Sequence, residues 1–213
     1  MTQPISLKAT ERKAFRSAFD DGLWDILLGC FLLFMVFGPL LSPYLGDFWS
    51  TAIFLPFWGV AYLAILLVRK FVVTPRIGVM KFGPVRRKKI MRFTIIMLVL
   101  NILAAVLSFV FALNFRTIPG QIISVFFGIL LMLFFSLFAY FLDFNRLYVY
   151  GLLVGVSPLI GEWLWSRGLA SHHGFPITFG INSTIMILAG TIVLIRLIRS
   201  NPLPPEGALP EGS

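Results

Sequence analysis

The sequence predicts an all-α integral membrane protein with six transmembrane helices, and three observations lead to this fold class. Of the 213 residues, 58% are apolar and only 13% are charged, whereas soluble chains are roughly 45–50% apolar and about 25% charged. Apolar runs of about 20 residues, the length that crosses a bilayer core, recur along the chain. Most of the positive charges lie between these runs.

The apolar runs define the domain organisation. The predicted spans cover about residues 23–41, 48–68, 93–113, 121–142, 147–165 and 177–198. They form a transmembrane domain of residues 22–199, preceded by an arm (1–21) and followed by a tail (200–213) that is rich in Pro, Gly and Glu. Such a tail cannot bury a core, so we expect it to be disordered. The polar arm and the full-length first span also argue against a cleavable signal peptide.

The N-terminal arm has the pattern of an amphipathic helix. Ala14, Phe15, Ala18, Phe19 and Leu23 recur on one helical face. The cations of the arm occupy the rest of the surface: Lys8, Arg12, Lys13 and Arg16. A helix of this kind lies in the headgroup plane of a membrane. The alternative is a polar segment that only precedes the first span.

The distribution of Lys and Arg predicts the orientation. Sixteen of the 18 cations fall on the side of the two termini, and the other two are Arg116 and Arg167. Because cytoplasmic loops carry the excess of Lys and Arg, both termini are predicted to be cytoplasmic, in the cell membrane. These cations also face anionic lipids. The net charge of +9 is explained in this way, so we predict no nucleic-acid partner.

The long connection between spans two and three, residues 69–92, is the most distinctive segment. Valine-rich pieces broken by Thr74-Pro75 and Gly83-Pro84 predict two short extended segments, forming a small β-hairpin on the cytoplasmic membrane surface. The candidate lipid- or partner-binding residues are Arg69, Lys70, Arg76, Lys81, Arg86, Arg87, Lys88 and Lys89. The segment could bind an anionic headgroup or a nucleotide phosphate, or dock a cytoplasmic protein. The alternative is a loop whose cations only set the topology.

Three aspartates, Asp20, Asp21 and Asp25, cluster at the start of the first span. Asp21 and Asp25 are four residues apart, so they share one helical face. Asp25 lies about one turn inside the apolar run, where a carboxylate is costly and is either functional or paired. A divalent metal or proton site is one interpretation. The sequence favours the other, in which acids stabilise a helix N-terminus and pair with the basic segment.

A second polar group, predicted on the external side, contains Glu162, Arg167, His172 and His173. Histidine titrates near neutral pH, so this external cluster could take up protons or bind a ligand. The alternative is an interfacial salt bridge beside a solvated loop. The one cysteine, Cys30, lies in an apolar run and is interpreted as a small packing residue.

Ser157 and His173 raise the question of an intramembrane serine protease. The string Gly155-Val156-Ser157-Pro158 faintly resembles a rhomboid serine motif, but Pro158 stands where that motif has glycine. The histidine is predicted in a loop at the membrane surface, too far from a mid-membrane serine for a nucleophile–base pair. Neither a His-Glu-x-x-His motif nor a Gly-rich phosphate loop occurs. We therefore predict no cofactor and identify no catalytic residue.

Three hypotheses for function follow. The first is a non-enzymatic transport component or the membrane subunit of a larger complex; an interfacial arm, six spans and a cytoplasmic loop resemble the layout of exporter permeases driven by a separate ATPase. The second is a lipid-handling enzyme or anionic-lipid binder that uses the basic segment and Asp21 and Asp25 at the cytoplasmic face. The third is a membrane sensor or scaffold that docks a cytoplasmic partner through residues 69–92.

Overall fold

The computed structural model describes residues 21–77, 84–113 and 118–202. Within these ranges, side chains are described except at residues 77, 84–87, 89, 90, 108, 111 and 112. Every regular element in the described ranges is helical, and none is a strand. The all-helical class is therefore confirmed. The predicted interfacial arm and the predicted disordered tail fall almost entirely outside the described residues, so both stay predictions.

The described part of the chain forms six long helices. They are α1 (Leu23–Ala52), α2 (Phe54–Val68), α3 (Pro84–Leu113), α4 (Gly120–Leu142), α5 (Arg146–Ser166) and α6 (Phe175–Ser200). A π-helical turn, Arg69–Val73, and a helical turn, Thr74–Ile77, continue α2. A short 3-10 turn, His172–Gly174, leads into α6.

Five helical stretches of the described chain are long and apolar enough to cross a membrane. They are Leu23–Ala52, Phe54–Arg76, Gly120–Leu142, Arg146–Ser166 and His172–Ser200. The remaining predicted span lies in α3, where the described apolar stretch, Met91–Leu107, is shorter. Because a helix satisfies its own backbone hydrogen bonds, runs of this composition fold as helices wherever water is excluded.

Four helices form the centre of the bundle. α1 packs along α6, α4 packs along α5, and α5 also contacts α6. The buried core residues come from these helices and the α4–α5 turn: Leu32, Ala139, Phe144, Leu147, Tyr150, Val154, Phe179 and Met186. Small residues bring the backbones together: the Ser183 hydroxyl donates to the Gly29 carbonyl at 2.8 Å, and a Cβ on Gly155 would lie 2.9 Å from the Gly128 carbonyl oxygen. Gly155 thus serves packing inside the bundle.

α2 and α3 lie at the edge of this bundle. α2 contacts α1 through aromatic rings, including Phe31 stacked on Trp58 with centroids 4.8 Å apart. α3 contacts α4, where the Phe93 ring lies 5.0 Å from the Phe138 ring. Only 6% of the apolar stretch of the α2 span is buried inside the bundle, whereas half of the apolar stretch of α5 is buried. The two edge helices therefore present apolar surface around most of their circumference.

The predicted bounds of the first two spans differ from the helices. α1 continues past Leu41 and breaks at Gly46, whose backbone has φ 76° and ψ 162°, a conformation that glycine reaches without a Cβ penalty. The kink falls inside the predicted connection between the first two spans, residues 42–47, where Ser42, Pro43 and Asp47 interrupt the apolar run. Residues from Phe48, the predicted start of the second span, follow the kink in a short helical stretch that ends at Ala52, and α2 begins at Phe54.

The predicted β-hairpin does not form in the described part of its segment. Arg69–Ile77 is helical, and residues 78–83, which complete the predicted hairpin, lie outside the described residues. The Thr74 N–H donates to the Arg69 carbonyl, five residues back, which widens the turn just before Pro75. A π-turn at this point accommodates the proline ring and its missing N–H. The strand preference of the valines was therefore overridden by continuation of the α2 helix.

Candidate functional site

Two polar clusters lie at opposite ends of α5, about 24 Å apart at 1.5 Å per residue. The first, which we name the acidic–arginine cluster, consists of Asp21, Asp25, Arg69, Arg146 and Tyr150. Arg69 Nη2 lies 3.1 Å from Asp21 Oδ2, and Arg146 Nη1 lies 2.9 Å from Asp25 Oδ2. Asp21 and Asp25 are 1% and 0% exposed, so both ion pairs have their acidic partner fully buried.

Local backbone geometry brings the two aspartates into the bundle. Asp21 Oδ1 accepts a hydrogen bond from the Leu23 N–H at 3.0 Å, which holds the chain at the start of α1. Gly22 between them has φ 80°. Its Cα faces α6 so closely that a Cβ would lie 3.0 Å from the Leu194 nitrogen, and a Cβ on Gly190 would lie 2.5 Å from the Gly22 carbonyl oxygen. This glycine–glycine crossing places the first turn of α1 against α6.

The cationic partners come from two other elements. Arg69 is the first residue of the π-turn after α2, and Arg146 is the first residue of α5. Tyr150, one turn further along α5, is buried close enough to Asp25 for the two side chains to interact electrostatically. The Arg146 guanidinium also lies over the Phe144 ring, 4.9 Å from its centroid. The cluster therefore joins α1, α2 and α5 at one end of the bundle.

The charges within the cluster balance, two carboxylates against two guanidiniums. Burial raises the pKa of Asp21 above its ordinary value, while the Arg69 guanidinium and the Leu23 N–H act in the opposite direction. Each arginine is about a third exposed, with 35% of the Arg69 side chain and 29% of the Arg146 side chain accessible. The cluster is therefore closed to solvent on the side of the carboxylates and accessible on the side of the arginines. This arrangement resembles a set of ion pairs that hold helices together more than a cation-binding site.

The interpretation that the acids pair with the basic segment therefore holds for Asp21, whose partner is Arg69. Asp25 is paired with Arg146, which lies outside that segment. The sequence reasoning did not single out Arg146 or Tyr150 as site residues. A weak signal was present, because an arginine at the first residue of a span and a tyrosine four positions later share one helical face. Asp20 lies outside the described residues.

The remaining basic candidates of residues 69–92 do not gather into one site in the described part of the chain. Lys70 is exposed, with its ammonium 5.5 Å from the centroid of the Phe71 ring. Arg76 Nη1 donates to the Val72 carbonyl at 2.6 Å, and Lys88 is exposed. Lys81 lies outside the described residues, as do the side chains of three others: Arg86, Arg87 and Lys89.

The second cluster is a pair at the far end of α5. Glu162 Oε2 lies 2.7 Å from His173 Nδ1, and the two side chains are 8% and 42% exposed. The imidazole also lies against the Trp165 ring, with centroids 4.3 Å apart and the ring planes tilted by 33°. Of the four predicted members of the external cluster, the structure joins these two. Arg167 lies over the Trp163 ring at 5.7 Å instead, and no described contact joins His172 to the other three.

The turn that carries His173 is tightly constrained. His172, His173 and Gly174 have φ values of 51°, 53° and 66°, three successive residues in the left-handed region, where non-glycine residues are uncommon. Gly161 and Gly174 touch backbone to backbone, since a Cβ on Gly174 would lie 2.6 Å from the Gly161 Cα. The packing of this turn on α5 is what holds the imidazole against the carboxylate.

The Glu162 carboxylate also lies at the start of α4, where Oε1 occupies the space that a Cβ on Gly120 would need. A negative charge is favoured at a helix N-terminus because of the free N–H groups and the helix dipole. The pair therefore ties three elements together: α5, the start of α4 and the turn before α6.

The structure gives Ser157 partners other than histidine. Its hydroxyl donates to the Leu153 carbonyl at 2.9 Å and accepts from the Asn182 amide, which also reaches Leu153 O at 3.2 Å. His173, the histidine considered as its base, is bound to Glu162. These contacts are those of an interhelical polar network between α5 and α6, as expected for polar groups in apolar surroundings, and they do not form a nucleophile–base pair.

Five apolar helices of membrane-spanning length, packed through glycine contacts and buried ion pairs, fit a helical membrane protein. The chain matches no known family, and comparisons with curated proteins and with solved structures give no match either. Its function is therefore argued from its residues.

Proposed function

We propose that this protein is a non-enzymatic component of a membrane complex, with transport as the class of activity it serves. The observation that carries the proposal is the placement of the edge helices. α2 and α3 present apolar faces outward, and only 6% of the apolar stretch of α2 is buried. The acidic residues inside the bundle are paired, Asp21 and Asp25 with arginines and Glu162 with His173. The lateral surface is thus suited to contact with other membrane-embedded helices.

In the proposed arrangement the chain spans the cell membrane six times, with both termini in the cytoplasm. The excess of Lys and Arg on the side of the termini, sixteen against two, supports this orientation. The Met91–Leu107 stretch of α3 then supplies the core of the third span. The acidic–arginine cluster lies at the cytoplasmic end and the Glu162–His173 pair at the external end.

The state of the two aspartates favours a component over a lipid-handling enzyme. A general acid, a general base or a metal ligand must have an oxygen that reaches a reactant. Asp21 and Asp25 are fully buried, and each lies against an arginine. In the described residues, no group of three or more His, Cys, Asp or Glu side chains is arranged to hold a metal ion.

Binding of anionic lipids at the cytoplasmic face is the second candidate function. It is favoured by the exposure of Lys70, in the π-turn that continues α2, and of Lys88, in the first part of α3. Cations at such a position attract acidic headgroups, at roughly 1 kcal/mol for each one near the surface. The same surface would also serve a cytoplasmic protein partner, the third hypothesis.

Purification from the native membrane in a gentle detergent, followed by mass spectrometry of co-purifying proteins and lipids, tests the proposal. We expect a protein partner at stoichiometric amount. A chain that purifies without protein and with one enriched anionic lipid would instead favour the lipid-binding function.

A photo-crosslinking residue makes the test specific to the edge helices. Placed at Leu63 of α2, which is 59% exposed, it should capture the partner, whereas the same residue at Val154 of α5, 0% exposed, should not. Equal capture from both positions would show that the contact is not made through α2.

A further inference from the structure

Asn101 is an exposed polar residue in the middle of the apolar helix α3. It lies within two residues of the centre of the predicted span, so it is about 12 Å along the helix from Phe93 and about 18 Å from Leu113. At that depth a bilayer offers no water to hydrogen-bond a side-chain amide. Polar residues inside a membrane therefore usually face other protein.

The contacts of Asn101 leave most of its amide available. Its Nδ2 donates to the Met97 carbonyl of the same helix at 2.8 Å, and among the described residues this is its one hydrogen bond. An asparagine side chain has two N–H donors and a carbonyl that accepts twice. The carbonyl oxygen and one N–H can therefore still pair with a group outside this chain.

The surroundings of Asn101 form a stripe suited to a second helix. Leu98 and Ala105 lie three residues before and four residues after Asn101, and both are exposed. This spacing follows the seam of left-handed helix pairs, and a small residue such as Ala105 lets backbones approach. The face of α3 that contacts the bundle borders this stripe on one side. Met97 is buried about 40° around the helix from Asn101, and Leu100 is half-buried about 100° around on that same side, whereas Leu98 and Ala105 lie on the opposite side of Asn101, at about 60° and 40°.

We propose that this stripe, Leu98, Asn101 and Ala105, is the contact surface of a homodimer, with a second copy of the chain as its occupant. A two-fold axis along the membrane normal places Asn101 of one copy opposite Asn101 of the other at the same depth. The amide is self-complementary, since each copy offers a donor and an acceptor. A different helix would need its own polar group at that depth, which a second copy supplies automatically. The inference goes beyond the proposed function and does not rest on it.

Disulfide crosslinking of the full-length chain in native membranes tests the dimer. In a Cys30→Ala background, Ala105→Cys should give a disulfide-linked homodimer on mild oxidation. The matched control is Leu103→Cys: Leu103 is 52% exposed, lies at nearly the same depth, and is about 200° around the helix from Asn101 at 100° per residue. It should remain monomeric. Equal crosslinking of both variants, or none at Ala105→Cys, would overturn the proposal.

Asn101→Leu provides the second readout. Its dimer dissociation constant in nanodiscs or detergent should rise roughly 3- to 30-fold, the range expected for one interhelical amide contact. Thermal unfolding of the monomer should be unchanged, because the one described hydrogen bond of Asn101 is to its own helix. An unchanged dissociation constant, or capture of a different protein by Ala105→Cys, would refute the assignment of a second copy.

Discussion

Neutralising Asp25 is the most direct test of the acidic–arginine cluster. The substitution Asp25→Asn keeps the size of the side chain and removes its charge. Asp25 is 0% exposed and faces Arg146 at 2.9 Å, with the buried Tyr150 side chain nearby. The variant therefore leaves the Arg146 guanidinium beside a neutral amide in the interior of the bundle, and we expect it to lower the free energy of unfolding.

The size of the loss follows from the burial of the two partners. Removing one member of a fully buried ion pair costs about 3–5 kcal/mol, because the other charge is left uncompensated. The Arg146 side chain is 29% exposed and keeps part of its hydration, so we expect about 2–4 kcal/mol. The double variant Asp25→Asn with Arg146→Met leaves no buried charge and should recover a large part of this loss.

Unfolding in detergent, followed by circular dichroism against temperature or denaturing detergent, measures the effect. Asp47→Asn is the matched control: Asp47 is an exposed aspartate on the same helix that accepts from the Ser42 hydroxyl. It should change stability by no more than about 0.5 kcal/mol. Wild-type stability of Asp25→Asn, together with loss of partner or lipid binding, would refute the structural role and restore Asp25 as a candidate for chemistry.

Three further tests address the packing and the polar clusters. Gly190→Ala places a Cβ 2.5 Å from a backbone carbonyl oxygen at the start of α1, whereas the Cβ of Gly180→Ala on the same helix lies 3.8 Å from its nearest neighbour. Gly190→Ala should lower the free energy of unfolding by about 1–3 kcal/mol, and Gly180→Ala should be neutral or stabilising. Equal unfolding temperatures of the two variants would contradict the α1–α6 crossing. Glu162→Gln removes the charge that faces His173 and the start of α4, so thermal unfolding should show a loss of about 0.5–2 kcal/mol, and no loss would count against the role of the pair. Burial raises the pKa of Asp21 above its ordinary value of 3.8, so the Asp21 carboxyl binds a proton more tightly in the folded state than in the unfolded state. Its contribution to stability should therefore decline as the pH rises from the unfolded pKa to the higher folded pKa. Asp21→Asn should lack that slope when unfolding is measured against pH, and an identical slope would show that other groups cause it.

Much of the helical layout could be predicted because it rests on local composition. The predicted spans 121–142, 147–165 and 177–198 lie inside α4, α5 and α6, and their ends differ from those of the helices by at most two residues. Prolines, glycines and charges bound these runs sharply. The kink at Gly46 also falls in the predicted connection between the first two spans, residues 42–47, but the helices on either side of it have other bounds than the predicted spans.

The candidate sites could be predicted only in part. Asp21, Asp25 and Glu162 were identified as charged residues in or beside apolar runs, and His173 was identified as a titratable residue near Glu162. Arg146, the cation that faces Asp25, was not, because its distance from Asp25 along the chain gives no indication of a contact. The hairpin prediction was wrong for Arg69–Ile77, since valine content describes a strand preference that depends on neighbours for its hydrogen bonds.

The sequence by itself determined that the chain is helical, where most of its helices run and which charged residues are costly. These properties are local: a long apolar segment must satisfy its own backbone, and helix formation does so. Only the tertiary structure decided how each helix is rotated about its axis, and hence that Arg146 faces Asp25, that Glu162 meets His173 and that Asn101 faces outward. Helix rotation is set by contacts between distant segments, above all the close glycine crossings, and hydropathy along one chain does not contain that information.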